Sequence, residues 1–502
     1  MSLDTHTALP AHLSGSTTER PVWARPTTTV EETFLTAPRI ALLHGFESAD
    51  VYRNGQNSWS PTGWRRLDER PLRVDNPVRR QTADDTRWDD RLRHHSSWMM
   101  AVTDGSRTVL LGCLEGDTPR LHADRDLLAA WTETNRPGMW VLITSQNEDD
   151  AFARYRELLA DRYGSLTQNP GKVWSSWYSF YEGISRTDLD RIVPGLPAFG
   201  VDTVQLDDGW EKIVGDWQPN GKFAAGMRDT ASSITDHGMR PGLWIAPFIA
   251  LPSADIVQRN PQMILRSADG APVIAGSNWG TGYYTFDFTR PDARDFLAET
   301  IGRAVHDWGF TYLKLDFINA GAVEGVRGEE VDREAAYRSA LQVVRQAAGD
   351  DTYLLGSGAP IFPSLGIVNA VRTGPDVAPM WDNYASDDPS DAMARNAVFN
   401  GVNRLWMRDL IGIDPDVVYF RRQRNLLTAE QMQWLQDCAI LSDFRAVSDP
   451  PEWLDDHERA AMREFFTGDA ETERVDRYRY RIGSRLVDFE PAINGESGQY
   501  AM

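Results

Sequence analysis

The sequence predicts a multidomain chain built around a central (β/α)8 TIM barrel, with an N-terminal β-sandwich before it and a short C-terminal β domain after it. Three observations point there. Residues 1–165 carry short alternating apolar runs separated by turn-formers, the pattern of antiparallel strands. From residue 172 the period changes, and short apolar runs alternate with amphipathic helical stretches over residues 170–450, the pattern of a parallel sheet. Finally, Asp207, Asp208, Asp316, Ser357 and Arg372 each fall at the carboxyl end of an apolar run, where barrel enzymes assemble their sites. That feature favours an eight-fold barrel over a doubly wound sheet.

Taken in order, TVLLGCLEG (108–116) and GMWVLITSQ (138–146) read as sandwich strands. AFARYRELLADRYG (151–164) reads as a helix closed by Gly164 that links the first two domains. Barrel strands are expected in KVWSSWYSF (172–180), GVDTVQLDDGW (200–210), RPGLWIAPF (240–248), FTYLKLDFI (310–318), TYLLGSGAP (352–360) and VNAVRTGPDV (368–377). The last two are expected near NGVNRLWM (400–407) and DCAILSD (437–443). A helix between strands is clearest in RPDARDFLAETIGRAVHDWG, which starts at Pro291 and stops at Gly309. The segment 249–290 is too long for a plain connection, and loops of that length are often functional. RVDRYRYRIGSRLVDFEP (474–491) alternates around Gly483-Ser484 and reads as a β-hairpin of a terminal segment 451–502.

Composition narrows the function classes. The 502 residues are 41% hydrophobic and 25% charged, the profile of a globular protein with a large core. Seventy-three acidic against 52 basic residues give a formal net charge of -21, which repels phosphate backbones and anionic lipid. Nucleic acid and membrane surfaces are therefore excluded as expected partners, whereas a neutral small molecule is indifferent to this field. The 18 tryptophans supply flat faces suited to sugar rings, or simply core volume. The two cysteines, Cys113 and Cys438, form no CxxC or metal-ligand pattern, so no disulfide framework is expected. The first residues lack a basic and then apolar leader, and no apolar run is long enough to span a bilayer. The expected location is cytoplasmic.

Four constellations could carry chemistry. In Lys314-Leu315-Asp316 the two charged residues are two apart on a strand and share a face. A neighbouring ammonium favours the ionised carboxylate that a nucleophile needs; a buried ion pair is the competing reading. In Arg372-Thr373-Gly374-Pro375-Asp376 a strand end leads into a tight turn that carries Asp376 away from the cation, as a general acid requires; a turn-initiating Asp is the competing reading. Asp207-Asp208 offers adjacent acceptors for sugar hydroxyls, or one acceptor and one cap. Trp174, Trp177, Trp210 and Trp244 lie at strand ends, and about half are expected to touch ligand. Other motifs fail. Gly356-Ser357-Gly358 is not completed as GxGxxG, since Ile361 holds the last position, and neither GxSxG nor HExxH occurs. His94-His95 lacks acidic companions at ligand spacing. No cofactor and no metal is required.

Taken together, VWSSWYSFYEG, VQLDDGWEKIVGDWQ, GLWIAPF, YLKLDFINAGAV and VRTGPDVAPMW, with NGQNSWSP (54–61) upstream, follow in one order. Over residues 54–445 the chain resembles the α-galactosidases of glycoside hydrolase family 36, compact bacterial type. The resemblance implies an N-terminal β-supersandwich over 1–165, the barrel over 170–450 and a C-terminal β segment over 451–502. It implies Asp316 as nucleophile and Asp376 as acid/base. It implies that Arg372 and Lys314 contact sugar hydroxyls and set charge, and that Asp207 and Asp208 hold the 4- and 6-hydroxyls of galactose. Trp177, Tyr178 and Trp244 correspond to aromatic walls, and Trp59 to an N-terminal Trp that reaches toward the site. Two positions depart from the family. Ser357 stands where many members carry Cys, beside the 2-substituent, and Leu315 replaces a frequent Trp on the face away from the sugar. The implied reaction is hydrolysis of terminal α-galactose from an oligosaccharide with retention, the two carboxyl groups ~5–5.5 Å apart. Open alternatives are an α-N-acetylgalactosaminidase, an α-galactosyl-transferring enzyme on the same barrel, or a sugar-binding protein without catalysis. The resemblance also leaves room for a homo-oligomer.

Overall fold

The computed structural model describes residues 30–84, 92–166, 169–383, 385–386 and 388–495; the stretch 1–29, on which the leader expectation rests, lies outside them. The N-terminal region folds as two antiparallel sheets. One has six strands, in the order Glu31–Ala37, Gly138–Ser145, Thr108–Glu115, Met99–Thr103, Asp50–Arg53, Gly63–Arg66. The other has four, Arg39–Leu43, Leu127–Thr132, Pro119–Ala123 and His94–Ser97. His94 and His95, adjacent on the last of these strands, are both buried. A helix, Glu148–Tyr163, leaves the sandwich with Asn147 accepting from the Asp150 amide and three acids in its first turn, a start favoured by capping and by the helix dipole.

Eight parallel strands follow: β1 Lys172–Ser175, β2 Thr203–Leu206, β3 Arg240–Ile245, β4 Tyr312–Leu315, β5 Tyr353–Gly356, β6 Ala370–Arg372, β7 Gly412–Asp414 and β8 Arg445–Val447. From β1 to β7 each strand pairs with the next in chain order, β1 also pairs with β8, and a parallel bridge from Val418, just past β7, to Val447 closes the ring. This is the expected TIM barrel.

The last two strands correct the sequence reading. NGVNRLWM (400–407) is the end of a helix, Ala394–Arg404, plus one tight turn, and DCAILSD (437–443) is the end of helix Ala429–Ser442. The first of these helices is buried on nearly every side, with Asn396, Asn400, Asn403 and Arg404 among its buried residues, so its end carries no exposed polar face to mark it as helix. The true β7 and β8 are three residues each and too short to stand out.

Long connections from the barrel's carboxyl ends build the mouth. Between β3 and β4 the segment 249–290 forms a three-stranded antiparallel sheet of Ile249–Ala250, Ile274–Asn278 and Thr281–Thr285. The N-terminal region reaches over to hold this insertion. In the short helix Pro77–Thr82, Gln81 donates to the Ile274 carbonyl at 2.7 Å, and Arg79 pairs with Asp391 at 2.6 Å beyond β6. Deeper in the same junction, Arg333 meets Glu133 at 3.0 Å and Asp84 at 3.1 Å, while Glu334 accepts from Gln56 and Trp98. Past the barrel, the terminal segment is more than the β segment expected. A helix, Asp456–Thr467, opens with a capping box from Asp455 and Glu458, and three short antiparallel strands follow. Gly483-Ser484 forms the predicted turn. From this hairpin Arg477 lies over the Trp64 ring at 4.0 Å and pairs with Glu148, tying the C-terminus to the sandwich. Cys113 and Cys438 are buried and unbridged. No helix among the described residues is long and apolar enough to cross a membrane.

Candidate active site

The carboxyl ends of β2, β3 and β4 meet in one charged cluster. On β4, Lys314 and Leu315 alternate, so Lys314 points inward and its Nζ reaches Asp207 Oδ2, just past β2, at 2.8 Å. Both groups are buried. Burial opposes the ammonium, yet Asp207, with Asp316 and Asp376 in support, outweighs it and holds the Lys314 pKa above the ordinary lysine range. Asp316 follows directly on β4. Its Oδ2 accepts from Trp244 Nε1 at 3.0 Å and its Oδ1 from the Phe317 amide at 2.9 Å. Two N–H donors from different elements thus fix the direction of one carboxylate. Asp208 behaves differently from Asp207. Trp279 Nε1 donates to its Oδ2 at 3.0 Å, and burial beside the Glu211 carboxylate pushes its pKa up to about 9. Burial and the Glu211 carboxylate thus favour the protonated form of Asp208, next to a Lys-paired carboxylate.

The second half is built on β6 and β7. Arg372, buried at the end of β6, donates through Nε to Asp414 Oδ2 at 3.1 Å and through Nη1 to Asp416 Oδ2 at 2.6 Å. The same Nη1 donates to Asp376 Oδ1 at 3.2 Å, so the turn brings Asp376 back onto the cation and does not carry it away as the sequence reading expected. Asp376 is otherwise open, with 41% of its side chain exposed. Asp416 also accepts from the Val377 amide at 2.9 Å and from the Tyr178 hydroxyl. Burial raises the Asp416 pKa against the pull of Arg372. The Tyr178 ring is buried, and its hydroxyl is occupied by Asp416 rather than facing the cavity.

Aromatic rings join the two halves. Phe317, one residue after Asp316, has φ +54°, and Trp279, in the hairpin of the β3–β4 insertion, has φ +50°. Left-handed backbone at bulky residues is uncommon and strained. Here it turns both rings toward each other at 5.2 Å. Trp59 arrives from the N-terminal region and meets Phe317 edge-on at 5.3 Å. It lies so close to Gly358, after β5, that a Cβ there would stand 2.9 Å from the indole. Ser357, buried beside that glycine, follows β5 directly. Trp177, after β1, packs edge-on against the exposed Tyr181 at the rim. Of the tryptophans singled out, Trp174 and Trp210 are core: Trp210 donates to the Trp244 carbonyl and Trp174 to that of Asp449.

Asp207, Asp208, Lys314, Asp316, Trp244, Arg372 and Asp376 thus converge from four strand ends, with Trp59 reaching in from outside the barrel. Sequence reasoning missed Asp414, Asp416, Trp279 and Phe317. The signal for the first two was the D-x-D of Gly412-Ile413-Asp414-Pro415-Asp416, whose alternation puts two acids on one face. Among the described residues no group of three or more His, Cys, Asp or Glu is arranged to hold a metal ion.

Known proteins carry the same plan. The Melibiase family model matches residues 145–348. An α-galactosidase of Geobacillus stearothermophilus is 26% identical over 182 residues, 34% of this chain and 24% of that one. A blood-group A α-D-galactosamine galactosaminidase of Flavonifractor plautii is 32% identical over 178 residues, 32% of this chain and 16% of that one. Those matches therefore span a quarter or less of the curated relatives. Over full length, the α-galactosidase of Thermus thermophilus solved with p-nitrophenyl α-D-galactopyranoside superposes with a TM-score of 0.85 at 34% identity, covering 95% of this chain and 100% of that one. The same enzyme solved with stachyose gives 0.81 at 33% identity, with 90% and 100% covered. On this likeness over the whole length, the chain belongs to the α-galactosidases of glycoside hydrolase family 36.

Proposed function

We propose that the protein is a retaining exo-α-galactosidase that hydrolyses terminal α-linked galactose from oligosaccharides such as melibiose and raffinose. The observation that carries this reading is the contrast between two carboxylates at one barrel mouth. Asp316 is aimed by two N–H donors, whereas Asp376 is half open on a loop beside Arg372. In the reaction Asp376 gives its proton to the glycosidic oxygen as an Asp316 oxygen attacks the anomeric carbon. The bond to the leaving group breaks and a β-galactosyl ester forms. Asp376, now a carboxylate, takes a proton from water; the hydroxide oxygen bonds the anomeric carbon, the ester bond breaks and α-galactose leaves. Lys314 and Arg372 hold charge and hydroxyls, Asp207 and Asp208 take the 4- and 6-hydroxyls, and Trp59, Trp177 and Trp244 frame the ring, while Tyr178, turned inward, braces Asp416 behind Arg372. In this division of labour the region 1–165 lends Trp59, the barrel 170–450 carries the chemistry and the segment 451–502 braces their junction. We place the protein in the cytoplasm on its two unbridged cysteines.

Proton NMR of the first turnover products tests the stereochemistry. Retention requires α-galactose to appear before mutarotation; β-galactose first would refute the nucleophile role. A second reading is favoured by one feature. Ser357 is small, stands near the expected 2-position, and the Flavonifractor relative is named for a galactosaminidase. Comparing kcat/KM for aryl α-galactoside and aryl α-N-acetylgalactosaminide decides between them.

A further inference from the structure

Arg404 closes the helix Ala394–Arg404 and is fully buried. Among the described residues no carboxylate pairs with it. Its partners are four backbone carbonyls. Nη2 donates to those of Gly55 at 3.3 Å, Asn57 at 2.9 Å and Ser60 at 3.2 Å, and Nη1 donates to that of Thr373. Nε has no partner. A buried cation without a counter-ion is costly. Burial and the nearby Arg53 press its pKa down to about 10, which still leaves it charged at neutral pH. A neutral side chain would fill this space at lower cost, so the location of the four carbonyls is informative.

They belong to the two loops that flank the reacting centre. The turn 55–60 bears Trp59, which lies against Phe317 next to Asp316. Thr373 opens the turn Thr373-Gly374-Pro375-Asp376. The same helix supports both loops a second time. Asn400 Oδ1 accepts from the Thr62 amide at 2.9 Å, and Gly374 lies so close that a Cβ would stand 3.2 Å from Ala397 Cα. A planar fork of donors is suited to locking two carbonyl groups in one register.

We propose that Arg404 is a positioning residue that holds the Asp376 loop in register with the Trp59 turn, so that protonation of the leaving group depends on it. The inference rests on the reading of Asp376 as acid/base. It is tested with α-galactosides whose leaving groups run from 2,4-dinitrophenol, which departs without a proton, to a simple alcohol, which needs one. Wild type, Arg404→Met, Arg404→Lys and Asp376→Ala are compared by kcat/KM, with folding checked by circular dichroism. The expected result for Arg404→Met is a loss of about 30-fold or more on the alkyl galactoside and about 3-fold or less on the dinitrophenyl one, in the direction of Asp376→Ala, since a general acid contributes about 10²–10⁴-fold where it is needed. If Arg404→Met does not fold, Arg404→Lys carries the test: it keeps the charge but loses the fork, and a smaller loss of the same selectivity is expected. An equal loss on every substrate, or none, beside a selective loss in Asp376→Ala overturns the inference alone. A non-selective Asp376→Ala overturns the acid/base reading and the inference with it.

Discussion

The β2–β4 side of the mouth and the β6–β7 side solve opposite problems with similar residues. Each has one buried cation and a set of aspartates. On the first side Lys314 is matched to Asp207, and Asp316 is left to be aimed by Trp244 and the Phe317 amide. On the second side Arg372 is saturated by Asp414 and Asp416 before it reaches Asp376, which it touches with a nitrogen already shared. The difference is in solvent and in freedom. Asp316 is half-buried and held from two elements, whereas Asp376 ends a short loop with 41% of its side chain exposed. A nucleophile gains from fixed direction, and a group that must both release and take up a proton gains from water and mobility. Two aspartates of identical chemistry are thus distinguished by what surrounds them.

Breaking each side should give different signatures. The largest effect is expected from Asp316→Asn, which keeps the shape and one of the two accepted hydrogen bonds but removes the nucleophile; kcat should fall by about 10⁴-fold or more, with the fold retained. Wild-type turnover in that variant would end the assignment. Next is Lys314→Met, which leaves Asp207 buried without its cation. Stability by urea titration should fall by about 3–5 kcal/mol, the range for breaking a buried pair by removing one partner. A loss near zero would mean that Asp207 is solvated in the protein. The smallest effect sharpens the contrast between the paired aspartates. The folded-state pKa of Asp208 is about 9, above its unfolded value, so its protonated form contributes stability that is full at acid pH and is lost as pH rises toward 9. Asp208→Asn, a permanently neutral isostere, should therefore raise Tm relative to wild type near pH 8–9 and change it little near pH 5. A shift independent of pH would show that Glu211 and burial do not hold that proton.

Most of this contrast was legible in the sequence, and the missing parts have a physical reason. Lys314-Leu315-Asp316 runs off the end of one four-residue strand and the Asp207-Asp208 pair follows another, each within an apolar run of the sequence. Arg372 and Asp376 were found through their turn. Asp414 and Asp416 were missed because β7 has only three residues and the helix before it is buried on nearly every side, its polar residues included, which drew the strand assignment onto residues 400–407. Trp279 and Phe317 act through left-handed backbone, which no periodicity announces. Arg404 is least visible: its partners are carbonyls from residues 55–60 and 373, brought together only by the docking of the N-terminal region on the barrel.

The central claim is that Asp316 forms the bond to the sugar, and chemical rescue tests it most directly. Asp316→Gly should release almost no nitrophenol from p-nitrophenyl α-galactoside. Added azide, occupying the space of the lost carboxylate, should restore release and yield β-galactosyl azide, the product of one inverting displacement. Restored release with α-galactosyl azide, or wild-type activity in the variant without azide, would contradict the account.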